Sequence, residues 1–206
     1  MFLNNMIEVF LFVNPLGTTC YETEKIIESF SNERDEKVSV RFIPLLNFHT
    51  IGNILKERKT QSLAERNQLY TDSFHASLAF QAASMQGKKK GRKFLMALQD
   101  KVINERRDVS RELFLQIADL IKLDREMFEE DIDSDFVKTV FKKDQKLAQD
   151  MEIENAPSCV LYAGGDDDYG YRLDTSITKQ LLHGFTDEQV QLKKSTPKHL
   201  SLIQMV

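Results

Sequence analysis

Most of the features that would assign a chemistry at once are missing from this sequence. Only two cysteines, Cys20 and Cys159, occur in 206 residues, too few for the disulfide framework of a small secreted domain. The four histidines, His49, His75, His183 and His199, fall on separate segments without a metal spacing such as H-E-x-x-H. There is no phosphate loop, no G-x-G-x-x-G and no G-x-S-x-G elbow, so zinc, nucleotide and serine-hydrolase chemistry have no support and no cofactor is expected. Charge of one sign is also scarce: a net charge of -4 gives no global electrostatic case for nucleic acid. Long apolar runs are absent. Met6 to Leu16 is apolar in part, but Glu8 interrupts it and no basic segment precedes it, so neither a secretory signal nor a membrane span is expected. A cytoplasmic protein with reduced thiols follows. No internal repeat or low-complexity tract is present.

What is there reads as soluble and globular. Hydrophobic residues make up 41% and charged residues 29%, and the length allows a sizeable core in one elaborated domain or two small lobes. A basic run, Lys88-Lys89-Lys90-Gly91-Arg92-Lys93, is read as a solvated helix start, because acidic residues return within two turns.

Periodicity then orders the chain. Ile7 to Val13 is β-branched and aromatic, and apolar on both faces apart from Glu8, as a buried central strand should be. Asn14-Pro15-Leu16-Gly17 punctuates it. A helix is predicted from near Thr19, where Thr19-Cys20-Tyr21-Glu22 fits a capping box. Its packing face carries Cys20, Thr23, Ile26, Ile27 and Phe30. Val38 to Leu45 is a second strand, so the opening residues form a βαβ unit with parallel strands. About ninety helical residues follow, with apolar stripes at Tyr70, Phe74, Leu78 and Met85; at Phe94, Leu98 and Val102; at Leu113, Phe114, Ile117, Ala118 and Ile121; and at Val137, Val140, Phe141, Ala148 and Met151. Ser134 or Asp133 caps the last of these. Strand character returns at Ser158 to Tyr162, after Ala156-Pro157. Gly164 to Asp168 is a polar turn, its aspartates lacking the alternating ligands of a calcium loop, and Tyr169 to Leu173 pairs back as a hairpin. A helix over Ser176 to His183 closes the order. The tail from Thr186 ends Leu200-Ser201-Leu202-Ile203-Gln204; it either packs back or offers a segment to a partner.

The order β-α-β, helices, β-β-α resembles a thioredoxin fold with a helical domain inserted between its halves, the DsbA-like architecture. Three segments carry the likeness. Phe12 to Tyr21 is similar to the strand and redox motif, Pro-Leu-Cys-x-x-Cys-Trp in the cytoplasmic Gram-positive branch. Asn155-Ala156-Pro157-Ser158 resembles the cis-proline loop, and Gly91 to Gln99 the inserted helical region. The fold class is therefore α/β, with residues 1–60 and 152–206 forming the thioredoxin-like domain and 61–151 the helical insertion. Within that superfamily the chain most resembles the YjbH/SpxH group, cytoplasmic adaptors that deliver the regulator Spx to the ClpXP protease. The resemblance implies Spx and ClpXP as partners, with no nucleic acid or membrane.

Set on the family motif, the attacking position is Gly17 and the resolving position is Cys20. Dithiol exchange needs a thiolate at the helix start and a second thiol to resolve the mixed disulfide; glycine supplies no nucleophile. Cys20 is either a small buried thiol or a single reactive thiol with a lowered pKa. Thr18 and Thr19 either cap the helix or hydrogen-bond a ligand. The groove formed by Gly17, Thr18, Thr19 and Cys20 with Ala156 and Pro157 is the expected binding site, and the first role expected is an adaptor without dithiol activity. The alternative is a single-cysteine thiol oxidoreductase or a glutathione-dependent transferase or isomerase. A bond between Cys20 and Cys159 is not expected.

Overall fold

The computed structural model describes residues 6–60, 62–163, 169–173, 176–188 and 200–204. Strand β1 (Ile7–Val13) leads into α1 (Thr18–Glu33), β2 (Val38–Pro44) and α2 (Phe48–Glu57). Five more helices come before the sheet resumes: α3 (Leu63–Met85), α4 (Lys88–Gln99), α5 (Arg111–Leu120), α6 (Arg125–Asp131) and α7 (Asp135–Asp150). One π-helical turn, Asp100–Asn104, extends α4. Strands β3 (Ser158–Ala163) and β4 (Tyr169–Leu173), helix α8 (Lys179–Glu188) and strand β5 (Leu200–Gln204) complete the described chain.

The sheet runs β2-β1-β3-β4-β5. β1 and β2 are parallel, with Leu11 opposite Phe42, and the other pairings are antiparallel, with Leu11 opposite Cys159. β1 is apolar on both faces because both are covered. Val9, Leu11 and Val13 point into the larger core with Ile27, Phe30 and the helices α3 to α7. Phe12 points to a smaller core with Ile43, Met151, Val160 and Tyr162. Burying one such side chain contributes about 1.5–3 kcal/mol, so a polar substitution in β1 is costly on either face. Helix α3 is buried almost all round from Ala76 to Ala83, as a helix enclosed by others must be.

Several expectations need correction. The capping box on α1 does not form. Gly17 occupies the cap position, and Thr19, already inside the helix, donates its hydroxyl to Glu57 Oε1 at 2.6 Å, while Glu22 pairs with Lys25. A box requires its hydroxyl before the first turn, and the helix starts two residues too early for that. Tyr70 is not a core residue: it lies at the surface, stacked on Phe48 at 5.5 Å. Helix α8 starts at Lys179 instead of Ser176, because Thr178 Oγ1 accepts from the Leu181 amide and caps it there. Of the two options for the tail, packing back is observed: Leu200–Gln204 pairs with β4. Ser134 caps α7 as expected, accepting from the Val137 amide. The Gly164 to Asp168 turn and His199 lie outside the described residues. No described helix is long and apolar enough to cross a membrane. No group of three or more metal-ligating side chains occurs among the described residues.

Candidate functional site

The loop between β1 and α1 is built around Asn14. Its side chain, fully buried, accepts from the Leu16 amide at 2.9 Å and from Ser73 Oγ at 3.2 Å, and donates to the Leu45 carbonyl at 3.4 Å. Its backbone carbonyl accepts from the Gly17 amide, and its backbone N–H points at Cys20 Sγ, 3.3 Å away. One residue thus ties the motif to the segment just after β2, to α3 and to the remaining thiol. As sequence, Asn14 reads only as punctuation after β1. The available signal is an asparagine two residues before a backbone amide it can hold, the Asx-turn geometry.

Gly17 adopts an extended conformation and offers no side-chain cap. A Cβ placed on it would lie 3.0 Å from Cys20 Sγ and 3.4 Å from Cys20 Cβ, with the Asn14 carbonyl next at 3.5 Å. Thr18 and Thr19 are exposed. Cys20 is 2% exposed. Burial pushes its thiol well above the ordinary range, the Asn14 amide offsets this in part, and the carboxylates of Glu24 and Glu57 add to the rise. A helix N-terminus favours a thiolate, but for Cys20 desolvation is the largest influence. Cys159 is also buried, and burial alone pushes it up to about 12. Both cysteines are free thiols. Of the two readings of Cys20, the small buried thiol fits. We expect native protein at neutral pH to alkylate at Cys20 at least about 100-fold more slowly than an unperturbed thiol, with both cysteines reacting after unfolding. Peptide mass mapping after iodoacetamide checks this, and rapid native labelling of Cys20 contradicts it.

One turn beyond Cys20, Glu24 is completely buried. Gln99 Nε2 donates to Glu24 Oε1 at 2.8 Å. Glu24 Oε2 and Gln99 Oε1 find no partner among the described residues. Burial raises the Glu24 carboxyl to about 8, the Gln99 hydrogen bond opposes this, and Glu28 adds to it.

The Ala156–Pro157 peptide bond is cis. The register pairs Phe12 with Ser158, so one step further sets Pro157 beside Val13, at the end of β1 that enters the motif. Helix α2 spans the same region. Its cap Asn47 donates to the Glu154 carbonyl at 3.0 Å and Asn53 donates to Asn155 Oδ1 at 3.3 Å, while Glu57 at its far end holds Thr19. All six residues expected at the site therefore lie around one end of β1 and along α2.

Beside the motif opens a cavity of about 650 Å³, lined by Leu16, Thr18, Glu57, Arg58, Asp72, Val102, Ile103 and the run from Arg106 to Val109. Arg58 donates to the Leu16 carbonyl at 3.3 Å. A second cavity of about 330 Å³ between α2 and α3 shares Arg58 and Asp72 with the first. No spacing pattern in the sequence signals these cavities, because their charged residues come from three distant segments. A smaller cavity of about 220 Å³ lies behind β2, away from the motif, where Arg41 pairs with the buried Asp144.

Comparison with known proteins bears on this geometry. A family described as thioredoxin matches residues 10–182. "ClpXP adapter protein SpxH" of Bacillus subtilis is 25% identical over 193 residues, covering 84% of this chain and 64% of that protein. The protein of the same name from Staphylococcus saprophyticus is 26% identical over 208 residues, covering 97% of this chain and 74% of its own length. The chain thus spans less than two thirds of the Bacillus relative. Among solved structures, the cytosolic disulfide reductase DsbM from Pseudomonas aeruginosa is similar at a TM-score of 0.65 and 16% identity, over 90% of this chain and 99% of that one. The oxidoreductase DsbA from Xylella fastidiosa is similar at 0.62 and 11%, over 92% and 89%. At these identities the structural likeness is one of fold, and the fold is DsbA-like.

Proposed function

This chain belongs to the thioredoxin family, and from that premise we propose that it acts as an adaptor for the ClpXP protease, holding its client by surface and performing no dithiol exchange. The observation that carries this reading is the run of relatives named as ClpXP adapters, matched along most of the chain. The client we assign is the transcription regulator Spx, and in this reading the protein works in the cytoplasm.

The site supports the same division of labour. An adaptor needs a surface that can hold a segment, and the cavity lined by Leu16 and Thr18 of the motif loop and by Glu57 and Arg58 at the end of α2 supports this reading. It does not need a nucleophile, and Gly17 has none. The backbone edge before a cis-proline can take an extended segment as an added strand, and Thr18 and Thr19 leave it polar and exposed. A single-cysteine oxidoreductase or glutathione-dependent enzyme would need Cys20 accessible and ionisable; its burial and raised pKa oppose both.

The test is direct binding. Purified Spx passed over the immobilised chain should bind reversibly, equally well with or without a thiol reductant. No binding, or binding only as a reductant-sensitive covalent adduct, would overturn the proposal.

A further inference from the structure

Helix α1 holds α4 and its π-helical end along one face, because residues three and four apart on a helix are neighbours. Tyr21 donates its hydroxyl to Asp100 Oδ1 at 3.3 Å, Gln99 donates to Glu24 Oε1 at 2.8 Å, and Arg92 donates to Glu28 Oε1 at 2.6 Å. The middle tie differs from the outer two. Glu28 has a guanidinium as its ion-pair partner, and Tyr21 contributes a hydroxyl. Glu24 is fully buried, pairs with no cation among the described residues, and keeps one oxygen without a partner, as does Gln99.

The charged and titratable groups around this tie leave it uncompensated. On α1 these are Cys20 and Glu28, while Lys25 is engaged by Glu22. On α4 and its end, Arg92 is engaged by Glu28, Asp100 by Tyr21, and Lys101 by Glu105. Lys179, His183 and Asp187 of α8 meet α1 at Glu33 and Arg34, more than two turns further on. Arg41 of β2 is held by Asp144, and Glu8 of β1 acts on Tyr162.

The same seam supports a segment with little else to hold it. Gln99 is the last residue of α4, the π-helical turn Asp100–Asn104 follows, and Arg106 takes a left-handed φ of 59°. Such conformations persist where neighbouring structure imposes them. Residues 104–108 are exposed, so they gain little from apolar burial, which marks a region of low local stability. Val102, Ile103 and the run from Arg106 to Val109 are also the wall of the cavity beside the motif.

We propose that this seam is a proton-operated latch: with Glu24 protonated, residues 99–109 are seated on α1, and loss of that proton releases them and opens the cavity wall. A buried carboxylate with no cation is the costly state, and opening lets water reach it. The seated form keeps the proton up to about pH 8, and a solvated carboxyl only up to 4.5. Between these values the seated form binds more protons, so opening is favoured as pH rises. The latch belongs to the fold and stands apart from the adaptor reading.

Hydrogen exchange read by mass spectrometry tests this, with wild type and Glu24→Gln compared at equal pH so that intrinsic exchange cancels. The reporters are the amides of Glu105 and Arg107, which are bonded to the Asp100 and Lys101 carbonyls. Near pH 5 the two proteins should exchange there to within about fivefold. Near pH 8.5 wild type should exchange there at least about thirtyfold faster than the variant, and at least about tenfold faster than its own β1. Glu28→Gln, which alters the neighbouring tie and keeps Glu24, should retain the wild-type response to pH. Equal exchange of wild type and Glu24→Gln near pH 8.5 would overturn the latch. So would release of the segment only together with β1, which is global unfolding, or loss of the response in Glu28→Gln.

Discussion

Replacing Gly17 with cysteine should convert a motif with a single thiol into a disulfide-forming pair. A disulfide has an S–S bond of about 2.04 Å and Cβ atoms about 3.5–4.5 Å apart, which sets the Cβ of one cysteine about 3 Å from the sulfur of the other. A Cβ on Gly17 stands 3.0 Å from Cys20 Sγ and 3.4 Å from Cys20 Cβ, so the backbone already has nearly the required spacing. The new thiol would sit at the start of α1, where backbone amides favour the thiolate. With oxidised glutathione, the Gly17→Cys protein should lose two hydrogens as the intramolecular bond forms, while glutathione disulfide is reduced to two thiols. Intact mass should fall by about 2 Da, and reduction of insulin in the presence of dithiothreitol should rise at least about tenfold over wild type, which should not exceed background. A variant that folds but remains a dithiol under these conditions would show that the motif has lost its geometry as well as its nucleophile.

The contrast between what is readable from sequence and what is not follows from the range of each interaction. β1 is legible to the residue, Ile7 to Val13, because a strand covered on both faces is apolar on both faces. The cis bond before Pro157 agrees with the family resemblance, and the helical run between β2 and β3 shows its apolar spacing. Local rules fail where a tertiary partner intervenes. Thr19 looks like a cap, but Glu57, 38 residues away, takes its hydroxyl. Tyr70 matches the apolar period of α3 but lies where that helix emerges at the surface, against Phe48. The cavity arginines and the Asn14 network join segments that no spacing rule connects. The tail cannot be decided from sequence because β5 needs the free edge of β4.

Glu24 belongs to the same class of hidden features, and it carries the second large effect. It is fully buried against Gln99, with an orphaned oxygen on each side chain. A proton on Glu24 removes a buried charge that burial disfavours, and the folded state holds that proton up to a pKa of about 8, against 4.5 ordinarily. Because the folded value is raised, the folded state binds more protons than the unfolded state between these two values. Stability therefore falls as pH rises through that window and levels off above it. Glu24→Gln keeps an amide to pair with Gln99 and has nothing to ionise. Urea unfolding should give nearly equal stabilities for variant and wild type near pH 5. By about pH 8 to 9 the variant should be more stable by roughly 3–5 kcal/mol, at about 1.4 kcal/mol for each tenfold difference in proton affinity between the folded and unfolded states. Parallel pH profiles would show that Glu24 is ionised in the folded protein at neutral pH and that its burial is compensated elsewhere.

Recognition without thiol chemistry is tested most directly by following purified Spx in the presence of ClpXP and ATP, under reducing conditions, with no addition, with this protein, and with its Cys20→Ala variant. Faster loss of Spx with both forms, to the same extent, is the expected result. No acceleration by the wild-type protein, or acceleration abolished in a Cys20→Ala variant that still unfolds cooperatively, would contradict it.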